Sequence, residues 1–258
     1  MQYLTISAKD NPRIKRVIKL QKSAQYRREE GFFVLEGLRT VDDAADNGIL
    51  IEELYFTNDI IEKHPSYIKK FAQNSNFCAI ISETVAKNIS DTTSTQGVFA
   101  VAQFPKNEAQ IESGKKYIAH ENLQDPSNLG AVARTAEALG IDAIIISGNS
   151  CDPFSPKSLR ASMGTLLRVP LIFTDNMSEF IGNLDMPTLA CVVQKDAEKL
   201  SDMDFSCGAV CVIGNEANGL TDETVEKCRK RITIHMSGRA ESLNAAAAAA
   251  IVMWEMVK

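Results

Sequence analysis

The chain reads as two successive series in which short apolar stretches alternate with segments of helical periodicity. In the first, FFVLEG (32–37), LYFT (54–57), FCAIIS (77–82) and GVFAVAQF (97–104) predict strands, with helices near 38–47 and 60–74. In the second, strands are predicted at KYIAHENL (116–123), DAIIISG (142–148), VPLIF (169–173), TLACVV (188–193), AVCVIG (209–214) and ITIHM (232–236). A helix starts there near 128, and another closes the chain through the run Ala245 to Ala250. Strands this apolar, set between helices, indicate an α/β fold with a mostly parallel sheet covered on both faces. The stretch PKNEAQIESGKK (105–116) is polar and without period. It predicts a small α/β domain over 1–105, a linker over 106–116 and a larger α/β domain over 117–258. Ligands in open sheets of this kind bind beyond the carboxyl ends of the strands, where the polar clusters of this chain lie.

At 258 residues and 45% hydrophobic, the composition is that of a soluble globular chain. The longest apolar run, residues 243–254, is too short to span a bilayer, and MQYLTISAKD lacks the apolar core of a signal peptide. Six cysteines are scattered at 78, 151, 191, 207, 211 and 228, with no C-x-x-C and three histidines. That argues against a metal site and predicts free thiols in a reducing cytoplasm. The net charge of −5 opposes attraction to a polyanion, but its distribution does not. Lys9, Arg13, Lys15, Arg16, Lys19, Lys22, Arg27 and Arg28 face Asp10 alone. A basic arm on an acidic body suits a polyanion partner, with Arg13, Arg16, Arg27 and Arg28 as candidate contacts. The same pattern fits an amphipathic helix packed through Ile14, Val17 and Ile18.

Three clusters sit at predicted strand ends. In NLQDPSNLGAVARTAEALG (122–140), Ser127 or Asn128 offers a helix cap, and Arg134 lies off the apolar stripe, free to pair with Glu137. In VIGNEANGL (212–220), Gly214 and Gly219 frame a tight loop that matches neither a Walker loop nor G-x-G-x-x-G. In IHMSGRAESLNAAAAAA (234–250), Ser242 or Asn244 can cap the alanine helix. Each cluster alone has a purely structural explanation.

Taken together, N-x-x-x-x-x-R-T-A, G-N-E-x-x-G-L and I-x-M-x-x-x-x-E-S-L-N-A-A resemble, in order and spacing, the three motifs of the SpoU family. These are S-adenosylmethionine-dependent RNA ribose 2′-O-methyltransferases of the SPOUT superfamily. SPKSLRASMGTLLRVP (155–170) is similar to the segment between the family's first two motifs, and NPRIKRVIKL with STQGVFAVAQ to its N-terminal substrate-binding domain. The resemblance implies a SPOUT-type domain with a trefoil knot, preceded by an α/β domain of ribosomal-protein type. It also implies a homodimer, with the small side chains of the alanine helix allowing close backbone approach and Met253, Trp254 and Met256 as apolar anchors.

By the same resemblance, Arg134 is the catalytic arginine, with Asn128, Glu216, Ser242 and Asn244 as the polar residues that position it, the cofactor or the RNA. Gly214, Ile234 and Leu243, with Asn215, Gly219 and Met236, would hold S-adenosyl-L-methionine, Gly214 by leaving room for it. Free arginine, with a pKa above about 12, is a poor base, which favours stabilisation of a developing alkoxide over proton abstraction. The sulfonium is already an activated leaving group, so no metal is expected. Among substrates, 23S rRNA is favoured over tRNA because the N-terminal domain is long. The competing classes are a non-catalytic RNA-binding protein and, remotely, a nicotinamide-dependent oxidoreductase, which the missing glycine fingerprint opposes.

Overall fold

Two sheets carry the chain. The computed structural model describes residues 3–106 and 109–258, which divide into two compact units. In chain order the first unit holds β1 (Leu4–Ile6), α1 (Pro12–Lys22), α2 (Ala24–Glu30), β2 (Phe32–Glu36), α3 (Leu38–Asp46) and β3 (Ile51–Phe56). It continues through α4 (Asn58–Lys63), α5 (Pro65–Gln73), β4 (Ser75–Ile81), α6 (Glu83–Ile89) and β5 (Val98–Gln103). The five strands lie in the order β1-β4-β3-β5-β2, with β5 antiparallel to both neighbours. The single helix expected over 60–74 is two helices. Pro65 has no amide to continue the first, so α4 stops and α5 begins on the proline.

The chain then forms β6 (Lys116–His120), α7 (Pro126–Leu139), β7 (Ala143–Ser147), α8 (Pro156–Ser162), β8 (Leu171–Thr174), α9 (Met177–Gly182) and β9 (Thr188–Cys191). It ends with β10 (Glu198–Lys199), β11 (Ala209–Ile213), α10 (Asp222–Lys227), β12 (Lys230–Thr233) and α11 (Ala245–Val257). These seven strands make one sheet in the order β10-β12-β9-β11-β6-β7-β8, every neighbouring pair parallel. Its central strands are buried along their length, as the unbroken apolar runs require.

The two compact units are not each a single stretch of chain. The segment Phe154–Leu167 belongs to the first unit. Phe154 stacks on Phe104 at 4.6 Å between centroids and packs on Phe33, while Arg160 pairs with Asp91. The polar stretch 106–116, of which 107 and 108 lie outside the described residues, is docked where it is described. Tyr117 accepts from the Glu112 amide and donates to the Gln110 carbonyl, and Ile111 packs on the core of the second unit.

All six cysteines are free, and burial pushes the thiols of Cys151 and Cys228 up to about 12 and that of Cys191 to about 11. No helix among the described residues is long and apolar enough to cross a membrane.

Candidate active site

The helix termini set the geometry. Asp125, not Ser127 or Asn128, caps α7 by accepting from the Ser127 amide at 2.9 Å. Asn128 therefore falls inside the first turn, buried, with its side chain free to turn toward the end of β11. Asn244 caps α11 through Oδ1, which accepts from Ala246 and Ala247 at 2.9 and 3.2 Å. That fixes the Asn244 amide nitrogen outward, where it donates to Asn128 Oδ1 at 3.0 Å. Asn128 in turn must offer its nitrogen, and donates to Glu216 Oε1 at 2.8 Å. One helix cap thus sets the polarity of a chain of amides joining all three sequence clusters. Burial opposes charge on Glu216, but donation from Asn128 and from the backbone amides of Glu216, Gln124 and Asp125 outweighs it and holds the pKa below its ordinary value. Glu216 is an acceptor at neutral pH.

Beside this chain lies a cleft of about 470 Å³ at the carboxyl ends of β9, β11 and β12. Gly214, Asn215, Gly219, Ile234, Met236 and Leu243 all line it, as do Glu216 and Ser242. Ala245 and Ala248 form part of its wall, so the small side chains of α11 bring the helix backbone up to the cleft. The space at Gly214 is not left for a ligand, however. A Cβ there would lie 2.1 Å from the Gly219 carbonyl carbon and 2.2 Å from the Leu220 nitrogen. The missing side chain admits the returning loop, which Asn215 and Gly219 close with reciprocal backbone hydrogen bonds of 3.0 and 2.9 Å.

Arg134 stands about 9 Å along α7 from Asn128 and does not line the cleft. Its side chain is exposed and makes no hydrogen bond or ion pair among the described residues. The pairing with Glu137 that the sequence allows is absent, because Arg168 holds that carboxylate and donates from Nη2 at 2.8 Å. Sequence reasoning passed over Val193 and Gln194, which also line the cleft. The signal was present, since QKDAEK follows a predicted strand at its carboxyl end.

His120, at the end of β6 opposite Ile213 and Ile146, was also passed over. It is fully buried, and neither ring nitrogen has a partner among the described residues. Burial pulls its pKa down to about 4 against the opposing pull of the Glu216 carboxylate. The folded chain therefore keeps His120 neutral where the unfolded chain, with a pKa near 6.5, takes up a proton. The stability this contributes is present above pH 6.5 and drains away as the pH falls toward 4. Between pH 7 and 5.5 the loss is about 1 kcal/mol. Denaturant melts of the parent and of His120→Leu across that range test it, the variant showing the shallower slope.

The basic arm is mostly a packed structure. Arg27 is 3% exposed and donates to the carbonyls of Leu20 and Gln21, closing the turn between α1 and α2, so it is not available to RNA. Arg13 and Arg16 both reach the buried carboxylate of Glu53, which also accepts from the Tyr55 hydroxyl at 2.6 Å. Arg13 lies over Phe77 and Arg16 over Phe32. Arg28 is exposed, and so are Lys15, Lys19 and Lys22, which fall on one face of α1 by their spacing of four and three. None of these four is in an ion pair among the described residues. Arg27→Ala should cost about 2 kcal/mol of stability by leaving two carbonyls without their charged donor, and a thermal melt reads it directly.

An all-parallel α/β unit with a ligand cleft at its strand ends, and a polar chain on the cleft's rim, is a small-molecule-dependent enzyme in outline. The chain belongs to the SpoU rRNA methylase family, whose model matches residues 115–254. Residues 11–100 match the MRM3-like substrate binding domain. The 23S rRNA (guanosine(2553)-2′-O)-methyltransferase RlmP of Bacillus subtilis is 26% identical over 97% of this chain and 98% of its own. The AdoMet-bound rRNA methyltransferase of Sinorhizobium meliloti superposes with a TM-score of 0.84 at 28% identity, covering 99% of this chain and 98% of that one. The SpoU methyltransferase AviRb of Streptomyces viridochromogenes shares the fold, with a TM-score of 0.85 at 22% identity over 96% and 97%.

Proposed function

We propose that the protein is a cytoplasmic methyltransferase that uses S-adenosylmethionine to methylate a ribose 2′-hydroxyl of 23S rRNA. One observation carries this: Asn128, Glu216 and Asn244, from three separate clusters, form a single hydrogen-bonded chain beside the cleft. The cofactor suits that cleft. Its lining carries Glu216, Asp222 and Glu241 but no lysine or arginine, which favours a cationic sulfonium and disfavours the phosphates of a dinucleotide. The ribosomal substrate is supported by the name of a relative aligned over nearly the whole chain.

When bound, S-adenosylmethionine supplies a methyl group already activated by its sulfonium. The residues of the chain hold and orient. Asn244 and Asn128 fix Glu216 and tie the loop 214–219 to the first turn of α7. Ser242 lines the cleft and is exposed to an incoming ribose. Arg134 would place its guanidinium on the ribose hydroxyl oxygen and stabilise the negative charge that develops there as the hydroxyl proton passes to solvent. The trefoil knot expected of the family's fold belongs to the segment beyond β11.

RNA is gripped by the exposed lysine face of α1 and by Arg28. Changing Lys15, Lys22 and Arg28 to Gln should lower the slope of log affinity against log salt by about 2, with cofactor affinity and melting temperature unchanged; Lys19 is left in place because its ammonium lies over the Tyr26 ring. An unaltered slope would return this face to mere solvation. The protein is a two-fold homodimer through α11, on which Ile251 and Trp254 are exposed. Met253 and Met256 are buried in the protomer and serve its own core instead of anchoring a partner. Light scattering at micromolar concentration should report twice the chain mass, and a clean monomer removes the assignment.

The activity is tested by mapping ribose methylation in RNA from a strain lacking the gene. One 2′-O-methyl group should vanish from 23S rRNA and return with the parent gene. An unchanged map overturns the proposal, and a loss confined to tRNA replaces the substrate.

A further inference from the structure

Beyond the carboxyl end of β9 the chain does not leave the sheet freely. The Val192 amide donates to the Ile232 carbonyl at 2.9 Å, and β10 pairs with the end of β12. Arg231, on β12, reaches across this turn with both arms of its guanidinium, from Nη1 to Gln194 Oε1 at 3.1 Å and from Nη2 to Asp196 Oδ2 at 3.2 Å. Lys230 holds Glu198 at 2.9 Å. The turn 192–198 is thus latched to the strand that leads into Ile234 and Met236.

Two features of the latched turn face the cleft. Val193 is 64% exposed although it is apolar, and it lines the cleft together with Leu243. Gln194 lines it as well, and its amide orientation is not arbitrary. A guanidinium only donates, so the Gln194 oxygen must face Arg231 and the NH₂ must face away. That NH₂ makes no hydrogen bond among the described residues. Gln194 is exposed where it lines the cleft, so its two N–H donors are open to a ligand beside the apolar surface of Val193, a combination that fits a flat heterocycle carrying acceptor nitrogens.

The sheet order decides which half of the ligand meets it. Asn128, in the first turn of α7, is bonded to Glu216 beyond β11, whereas Val193 and Gln194 follow β9, which lies between β11 and β12 and so stands on the side of Ile234. The reacting end belongs to the first pair and the far end to the second. We propose that Gln194 is a cofactor-binding residue donating its amide to the adenosine half of S-adenosylmethionine, that Val193 covers the adenine face, and that Arg231 is the positioning residue that turns the amide inward. This rests on the reading that the cleft holds S-adenosylmethionine.

Calorimetry with S-adenosylmethionine and with 5′-methylthioadenosine, which has no amino-acid arm, tests it in the full chain. Gln194→Glu is the decisive variant, since a carboxylate still accepts from Arg231 and keeps the latch but has no proton to give. Gln194→Glu, Gln194→Ala and Val193→Ala should each weaken the uncharged methylthioadenosine about 3- to 10-fold. Gln194→Ala and Val193→Ala should weaken S-adenosylmethionine by the same factor. Arg231→Met should act in the same direction, raise KM for S-adenosylmethionine with KM for RNA unchanged, and add nothing on top of Gln194→Ala. Parental affinity in Gln194→Glu or Gln194→Ala overturns the proposal. So does a loss seen with S-adenosylmethionine alone, which would place the turn at the amino-acid arm. A parent that binds neither ligand fails the reading of the cleft itself, a distinct result.

Discussion

Arg134→Ala should bind S-adenosylmethionine nearly as tightly as the parent and still lose ~10²–10³ in the rate of methyl transfer, the usual cost of removing one preorganised group aimed at a developing oxyanion. The expectation follows from where Arg134 stands. It is absent from the cleft lining, so a cofactor held there should not depend on it. It has no partner among the described residues, so its loss should leave the melting temperature within the scatter of surface substitutions. An exposed cation on α7, close to but outside the polar chain of Asn244, Asn128 and Glu216, is placed for a ligand that arrives from solvent. Arg134→Lys keeps the charge but not the planar fork that holds two oxygens together, and it should be severely impaired too. Single-turnover transfer of labelled methyl to RNA, run beside calorimetry and a melt, separates these effects. Near-parental transfer by folded Arg134→Ala would sink the assignment.

The second large effect is expected from one methyl group. Gly214→Ala places a Cβ where the Gly219 carbonyl and the Leu220 nitrogen already are, at 2.1 to 2.3 Å. Those are backbone atoms, so no side-chain rotation relieves the clash. The loop would have to give up the reciprocal bonds between Asn215 and Gly219, and with them the 2.7 Å bond from Asn215 Nδ2 to the Asn122 carbonyl. Overpacking of this kind lies at the upper end of its range, about 3 kcal/mol, and it should weaken the cofactor more than tenfold because the same loop lines the cleft. Gly219→Ala is the contrast. Gly219 has a φ of +70° but nothing within 4 Å of its missing Cβ, so only the left-handed backbone is penalised, by about 1–2 kcal/mol. Equilibrium denaturation of the two variants should rank them in that order, and a Gly214→Ala protein as stable as Gly219→Ala would show that the loop yields.

What could be read from the sequence was what local chemistry decides. The apolar runs around Ile118, Ile145 and Val212 had nowhere to be but inside a parallel sheet, and Asn244 offered cap chemistry that α11 uses. The three polar clusters were visible as strand-end sequences, and their mutual order carried the family. What could not be read was which surface a residue meets across the chain. Arg27 belongs to a run of cations that looks uniformly solvated, yet it is buried, because only the fold brings the carbonyls of Leu20 and Gln21 beneath it. Gly214 signals a close approach without saying whether ligand or backbone arrives. The apolar residues of α8 advertise burial but not against which unit.

The path of the chain also bears on how the molecule can be taken apart. It enters the second unit after Lys106, returns to the first at Phe154 and leaves again at Arg168. A single cut near residue 106 therefore yields two incomplete halves. The C-terminal piece would keep Phe154 without Phe33 and Phe104, an adhesive strip exposed to water, and the N-terminal piece would lose the aromatic plug that Phe154 provides. The two units are not portable modules to be expressed apart or grafted onto other partners. Their separate contributions have to be dissected by point substitution in the intact chain, and a proteolytic nick between them should not release two folded fragments.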